Sequence, residues 1–307
     1  MHPAKSVIVF TTFSGLGFGM MFFLGLGVGP ADPVIGPLAC LFAMVAAGAG
    51  LIASTFHLGN PQRAAKALTQ VASSWLSREG VVSIILMGLF FLYAVLWWSG
   101  GAPSAVLGYV CSALAALAVV CTAMIYAQLK TVPRWSNAFT VPMFLGFAAT
   151  GGVIATAIAL ALAGEAIPKG LGLVLMAGSA AAYAYRRMTQ MTTLASAGST
   201  PETATRLGGL GRVRLLEKPH SEPNYLMKEM VYRVGRKHAE KLALFAVILG
   251  LFAPLFLFVV LRGAEAGATT IAGLCLALVL HVAGVLASRW LFFAEAEHVV
   301  GLYYGQR

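Results

Sequence analysis

SVIVFTTFSGLGFGMMFFLGLGV, residues 6–28, runs for 23 positions without an ionisable side chain. An α-helix needs about 20 apolar residues to cross the ~30 Å hydrocarbon core of a bilayer, so this segment by itself predicts a membrane span. One early lysine precedes it and no small-residue cleavage site follows it, which reads as a retained helix rather than a signal peptide. The pattern recurs at residues 34–58, 80–99, 104–128, 139–163, 167–185, 242–261 and 268–293. Breaks at Gly29-Pro30, Gly59-Asn60-Pro61 and Gly100-Gly101 separate the early spans. The expected fold is an all-α integral membrane protein of about eight transmembrane helices, a single membrane domain over residues 1–307. Composition agrees: 59% of the chain is hydrophobic and 10% charged, against about 25% charged in a soluble domain.

The net charge of +10 would raise the question of nucleic acid in a soluble protein. Here the basic residues lie between apolar spans, where they point to membrane lipid headgroups and not to nucleic acid. Of the 21 Lys and Arg residues, only Lys169 and Arg262 fall outside the termini and the connections after spans two, four and six. The positive-inside rule therefore places both termini, Arg63, Lys66, Arg78, Lys130, Arg134 and the long basic 186–241 connection in the cytoplasm. Two connections carry helical periodicity of their own. Ala64, Leu68, Val71 and Trp75 share one face of an expected interfacial helix after span two. After span six, NYLMKEMVYRVGRKHAEKL places Leu226, Met227, Met230, Val231 and Val234 at helical spacing. That segment suits either a second interfacial helix or a docking platform for a peripheral partner.

The chemistry-bearing residues are few. Cys40, Cys111, Cys121 and Cys275 are scattered singly in apolar stretches, with no spacing for iron–sulfur, zinc or c-type haem, and read as buried small hydrophobes. The groups Gly15, Gly17, Gly19 and Gly25, Gly27, Gly29 follow no strand and read as helix-packing residues rather than a nucleotide loop. No HExxH, GxSxG or P-loop is present, so hydrolytic machinery is not visible. His57 ends the second span and Glu79 opens the third, which brings both to the cytoplasmic surface. An imidazole that hydrogen-bonds a quinone carbonyl and a carboxyl that carries protons would together serve quinone chemistry. The plainer alternatives are a satisfied helix-end histidine and a glutamate at a helix start after Ser77. His281 lies in mid-span, where an ionisable group needs a partner; with no second histidine at that depth, an interhelical hydrogen bond is expected in preference to haem. Arg289, Glu295 and Glu297 are expected to form surface pairs at the end of the last span.

FHLGNPQRAAKAL (56–68), WLSREG (75–80) and IYAQLKTVPRWSNAFTVPMFLGF (125–147) resemble the membrane anchor subunits of the dimethyl sulfoxide reductase family. The likeness covers most of the first five helices. It implies an eight-helix anchor in the bacterial inner membrane that holds an iron–sulfur electron-transfer subunit and a molybdopterin catalytic subunit. Such an anchor exchanges electrons with ubiquinone or menaquinone and carries neither haem nor metal itself; molybdopterin and iron–sulfur clusters belong to the partners. The family's functional histidine, in an HLG(S/N)P motif, falls on His57, and its functional glutamate, after an LS pair, falls on Glu79. Glu79 is thus the candidate catalytic carboxyl, and His57, Arg63 and Tyr126 join it as quinone-binding candidates. Tyr126, Thr131, Val132, Pro133 and Trp135 match a further family segment.

The dimethyl sulfoxide reductase anchor holds its histidine side and its catalytic subunits in the periplasm, whereas charge places His57 and Glu79 on the cytoplasmic side. That orientation, SSWLSREG and NYLMKEM…RKHAEKL look most like the sulfite-oxidising, cytoplasmic branch of the family, the sulfite dehydrogenase anchors. The implied function is transfer of electrons from cytoplasmic sulfite oxidation to membrane quinone. One alternative is a quinol-oxidising anchor of a dimethyl sulfoxide-type reductase. Another, of a different class, is a secondary transporter, although no internal repeat is visible.

Overall fold

The computed structural model describes residues 3–56, 61–100, 102–217 and 239–304, without the side chains of Pro61 and Arg63. Among the described residues, eight long helices carry the fold: α1 Lys5–Gly25, α2 Ile35–Thr55, α3 Trp75–Gly100, α4 Ala105–Ala127, α5 Thr140–Leu162, α6 Leu171–Met191, α7 Ala239–Leu261 and α8 Ala268–Ala294. Among the described residues, seven of these are long and apolar enough to cross a membrane. The eighth, α6, continues past its apolar part into Arg186 and Arg187. The bounds differ from the sequence expectation chiefly at α3, which starts at Trp75 instead of residue 80, and at α6, which spans Leu171–Met191 instead of 167–185.

The first and fifth helices form the centre. Helix α1 packs on α2, α4, α5 and α8, and its glycines allow the approach, as the sequence suggested. A Cβ on Gly19 would collide with the Ala148 backbone carbonyl of α5, and one on Gly17 with the backbone of α2 at Ala43 and Ala47. Small residues let helix backbones approach closely in lipid, where dispersion replaces the hydrophobic drive. The end of α1 is further tied by hydroxyls: Tyr93 donates to the Leu24 carbonyl at 2.9 Å and Ser112 to the Phe22 carbonyl at 2.8 Å.

Connections sort to two ends. At one, Glu165 accepts from the Ala31 amide at 2.7 Å, and Arg262 donates to the Lys169 carbonyl at 2.8 Å. Asp32 there accepts from the Val34 and Ile35 amides, which holds its carboxyl below the usual carboxylate range. At the other end, the Val299 amide donates to the Thr131 carbonyl at 3.0 Å, and Tyr303 donates to the Ala204 carbonyl at 2.7 Å. Partial burial there pushes the His298 imidazole below its ordinary value. The two outlying basic residues of the charge count, Lys169 and Arg262, thus share the first end.

The connection after α2 is a 3-10 helix, Pro61–Leu68, and Trp75 belongs to α3 rather than to this segment. Leu68 lies over Gly80, and the Ser77 hydroxyl donates to the Ala67 carbonyl, so the turn is fixed on the first turns of α3. In the long connection after α6, the described part holds one helical turn, Pro201–Thr205, and a 3-10 turn, Gly208–Leu210. The expected apolar stripe from Leu226 to Val234 lies outside the described residues.

Helix α7 contains a π segment, Ile248–Phe252, followed by Pro254. The amide that would bond the Gly250 carbonyl in an α-helix belongs to residue 254, which as proline has no N–H and whose ring crowds that carbonyl. His281 of α8 supplies a side-chain donor to this carbonyl: its Nδ1 lies 2.7 Å from the Gly250 oxygen, the shorter of its two polar contacts, with Nε2 3.2 Å from the Phe147 oxygen. The mid-span histidine is therefore an interhelical hydrogen-bond donor, 2% exposed. Gly284 seats against Gly250 and lets the two helices meet at this point.

Three of the four cysteines are buried, but Cys275 is exposed, a departure from the sequence expectation. Among the described residues, no group of three or more His, Cys, Asp or Glu is placed to hold a metal ion.

Candidate functional site

Polar residues of the bundle collect where α3 packs on α4 and around the neighbouring cavity lined by α1, α4, α5 and α8. Helix α3 is started by Ser74, whose hydroxyl accepts from the Ser77 amide at 3.4 Å. Arg78 turns outward: it donates to the Val71 and Ala72 carbonyls at 2.8 and 2.6 Å and lies 4.3 Å over the Trp75 ring. These bonds close the loop before α3. With Ser74 as the cap, Glu79 is free of that duty, and it points inward.

Glu79 is 4% exposed. Among the described residues its hydrogen-bond partner is Thr122 of α4, whose hydroxyl shares its one proton between Oε1 at 3.5 Å and the Ala118 carbonyl at 3.0 Å. A buried carboxyl with one long hydrogen bond has unused bonding capacity, and such a group is costly unless something else meets it. Tyr126, one turn beyond Thr122, is within electrostatic reach of both Glu79 and Arg289. Its ring sits in an aromatic cluster, 5.3 Å from Trp135, 5.8 Å from Phe144 and 5.2 Å from Phe292. Trp135 anchors that cluster by donating from Nε1 to the Phe292 carbonyl at 2.8 Å.

Of the four site candidates, Glu79 and Tyr126 are brought into one region. The backbone of Arg63 lies in the 3-10 turn packed on the start of α3, and its side chain is outside the described residues. His57 also lies outside them.

Two residues escaped the sequence reading. Thr122 gave no signal beyond its one-turn spacing from Tyr126. Arg289 was expected in a surface pair, and the structure corrects this: it is 2% exposed, with its guanidinium carbon 3.5 Å from the Phe144 ring centroid. Glu295 forms a partly buried ion pair with Arg186 of α6.

The protein is 32% identical to a sulfite dehydrogenase subunit of Allochromatium vinosum, over 99% of both sequences. It is 35% identical to the anaerobic dimethyl sulfoxide reductase protein YnfH of Escherichia coli, over 38% of this sequence and 42% of that one. It is also 34% identical to a component of the anaerobic dimethyl sulfoxide reductase of Haemophilus influenzae, over 34% and 39% of the two sequences. No solved structure matches. The family described as DMSO reductase anchor subunit (DmsC) matches residues 2–305, so this helical membrane protein belongs, over nearly its whole length, to that family of anchors.

Proposed function

We propose that this protein is the membrane anchor and quinone-binding subunit of a molybdopterin and iron–sulfur oxidoreductase, passing electrons from sulfite oxidation in a cytoplasmic partner to membrane quinone. The observation that carries the reading is likeness to a sulfite dehydrogenase subunit over 99% of both sequences, where the likeness to the reductase proteins stops at about two-fifths of this one. The partners are an iron–sulfur electron-transfer subunit and a molybdopterin catalytic subunit, docked on the cytoplasmic side of the bacterial inner membrane. The distribution of Lys and Arg supports that side.

A quinone supplies a two-electron, two-proton acceptor. The residues present fit such a group, because Glu79 is a buried carboxyl with hydrogen-bonding capacity to spare. In this reading His57 hydrogen-bonds a ring oxygen, and Glu79 holds a proton at its carboxyl, hands it on and is refilled from the cytoplasm. Arg63 neutralises charge at the mouth of the site. Tyr126, packed among aromatic rings, holds the α4 turn that carries Thr122 against Glu79.

The test is sulfite-dependent reduction of a quinone analogue in membranes carrying the intact complex, with bound partners confirmed. His57→Ala and Glu79→Gln are each expected to lower the rate about a hundredfold or more, the lower end of what a positioned acid–base group contributes, while sulfite oxidation with an artificial acceptor persists. Unchanged quinone reduction in both variants would make these residues structural. A wild-type complex that oxidises quinol with dimethyl sulfoxide and is inert to sulfite would favour the reverse direction of electron flow.

A further inference from the structure

Arg289 has no use in the function proposed above, and its surroundings are unusual for a cation. It is 2% exposed, and its Nε and Nη1 atoms are buried without a hydrogen-bond partner among the described residues. The faces of Phe144 and Phe147, 3.5 and 5.5 Å from the guanidinium carbon, give some attraction, but an aromatic ring satisfies no N–H. An arginine cannot escape by deprotonation, so a buried one must find an anion or a chain of polar groups leading to one.

The guanidinium lines a cavity of about 20 Å³ whose wall also includes Thr11, Thr12, Ser14, Thr122 and His281. That volume exceeds what a water molecule requires. The wall is acceptor-rich for a definite reason. Thr11, Thr12 and Ser14 each give their proton to a carbonyl of their own helix, at 3.0, 2.8 and 2.7 Å, which leaves hydroxyl lone pairs for the cavity. Donors on one side, acceptors on the other and room for water between them form a built site. Thr122 stands at its edge and is the residue that meets Glu79.

We propose that Arg289 is the buried counter-charge of Glu79, joined to it across this cavity by ordered water and the Thr122 hydroxyl. The pair makes the interior neutral when Glu79 is a carboxylate. Its bearing on quinone reduction rests on the function proposed above: once Glu79 has given up its proton, the remaining carboxylate is held by the cation. Arg289 is thus a positioning residue that acts through Glu79 and touches no substrate. The other groups facing Glu79 are Cys121 and Tyr126 of α4. Arg78 of its own helix is engaged by the Val71 and Ala72 carbonyls, and the Pro61–Leu68 turn packed on this helix carries the exposed Lys66. Those facing Arg289 are Tyr126, Tyr185 and His281, the last engaged by Gly250.

Two measurements on the purified, assembled complex test this. The infrared carbonyl band of a protonated carboxyl, assigned to Glu79 by its absence in Glu79→Gln, is expected to be several-fold stronger at neutral pH in Arg289→Gln than in wild type. It should return close to wild type in Arg289→Lys. An identical band in wild type and Arg289→Gln overturns the proposal. Thermal stability gives the second readout: Glu79→Gln strands the cation and lowers stability, and adding Arg289→Gln is expected to recover more than half of the loss, whereas additive losses overturn the pairing. Neither readout needs turnover, so a coupled pair combined with normal quinone reduction in Glu79→Gln would sink the quinone reading alone.

Discussion

The bond between His281 and Gly250 gives the sharpest test of how the bundle is held. His281→Leu keeps an apolar side chain of similar size in the space between α5 and α8 but strands the Gly250 carbonyl, whose usual amide is missing because residue 254 is proline. A buried carbonyl left without a partner costs about 1–3 kcal/mol. Pro254→Ala restores an N–H at the position four residues after Gly250 and removes the ring that crowds its oxygen. In that background the helix can satisfy Gly250 itself, and His281→Leu should then cost under about 1 kcal/mol. The expected coupling in a double-mutant cycle is therefore about 1–2 kcal/mol, of the size found for residues sharing one hydrogen-bonded group. Unfolding by sodium dodecyl sulfate in mixed micelles, followed by tryptophan fluorescence, measures all four proteins. Costs that simply add would refute the account of the π segment as a proline vacancy filled by a histidine from the next helix.

Two further predictions concern the ends of the bundle. Trp135→Phe keeps a ring to stack on Phe292 but removes the 2.8 Å hydrogen bond to its carbonyl; a loss of about 1–2 kcal/mol is expected, together with faster tryptic cleavage at Lys130 and Arg134, and unaltered cleavage would contradict it. Asp32 has its carboxyl held below the ordinary value of 3.8 by two amides, so its contribution is present above that pH and is lost as pH falls through the lowered folded-state value. Asp32→Ala should accordingly speed exchange of the Val34 and Ile35 amides near neutral pH and make no difference in strong acid, and equal exchange in both proteins near neutral pH would show that Asp32 does not hold the turn.

The helices were legible because lipid leaves a polypeptide few options: a run of about 20 apolar residues must satisfy its backbone internally. What the apolar run does not mark is where a helix continues beyond it. Helix α3 begins within polar WLSRE because Ser74 caps it there, and α6 carries on through Arg186 because Glu295 meets that side chain. The site was half legible. Glu79 stood out as a carboxyl beside an apolar span, but its burial depends on α4 presenting Thr122 to it, a contact between residues 43 apart in sequence. Arg289 misled for the same reason: nothing within SRWLFF tells whether that helix face meets the headgroups or the rings of Phe144 and Phe147. His281 was legible in kind, as a group needing a partner, but not in identity, since its partner is created by a proline 27 positions earlier, at residue 254.

The central place of α1 has a bearing on biogenesis. This helix leaves the ribosome well before α5, and the wall that fits its Gly19 notch, the Ala148 region of α5, is made more than a hundred residues later. At about 5–20 residues per second the delay is on the order of 10 s. Through that interval α1 must stand at the insertion site with α2 as its neighbour, its glycine face covered by acyl chains or by the insertion machinery. Closing the bundle then means expelling that cover as α5 slides in, so the step that completes the core is an exchange of lipid for helix, and it comes after translation has passed the middle of the sequence.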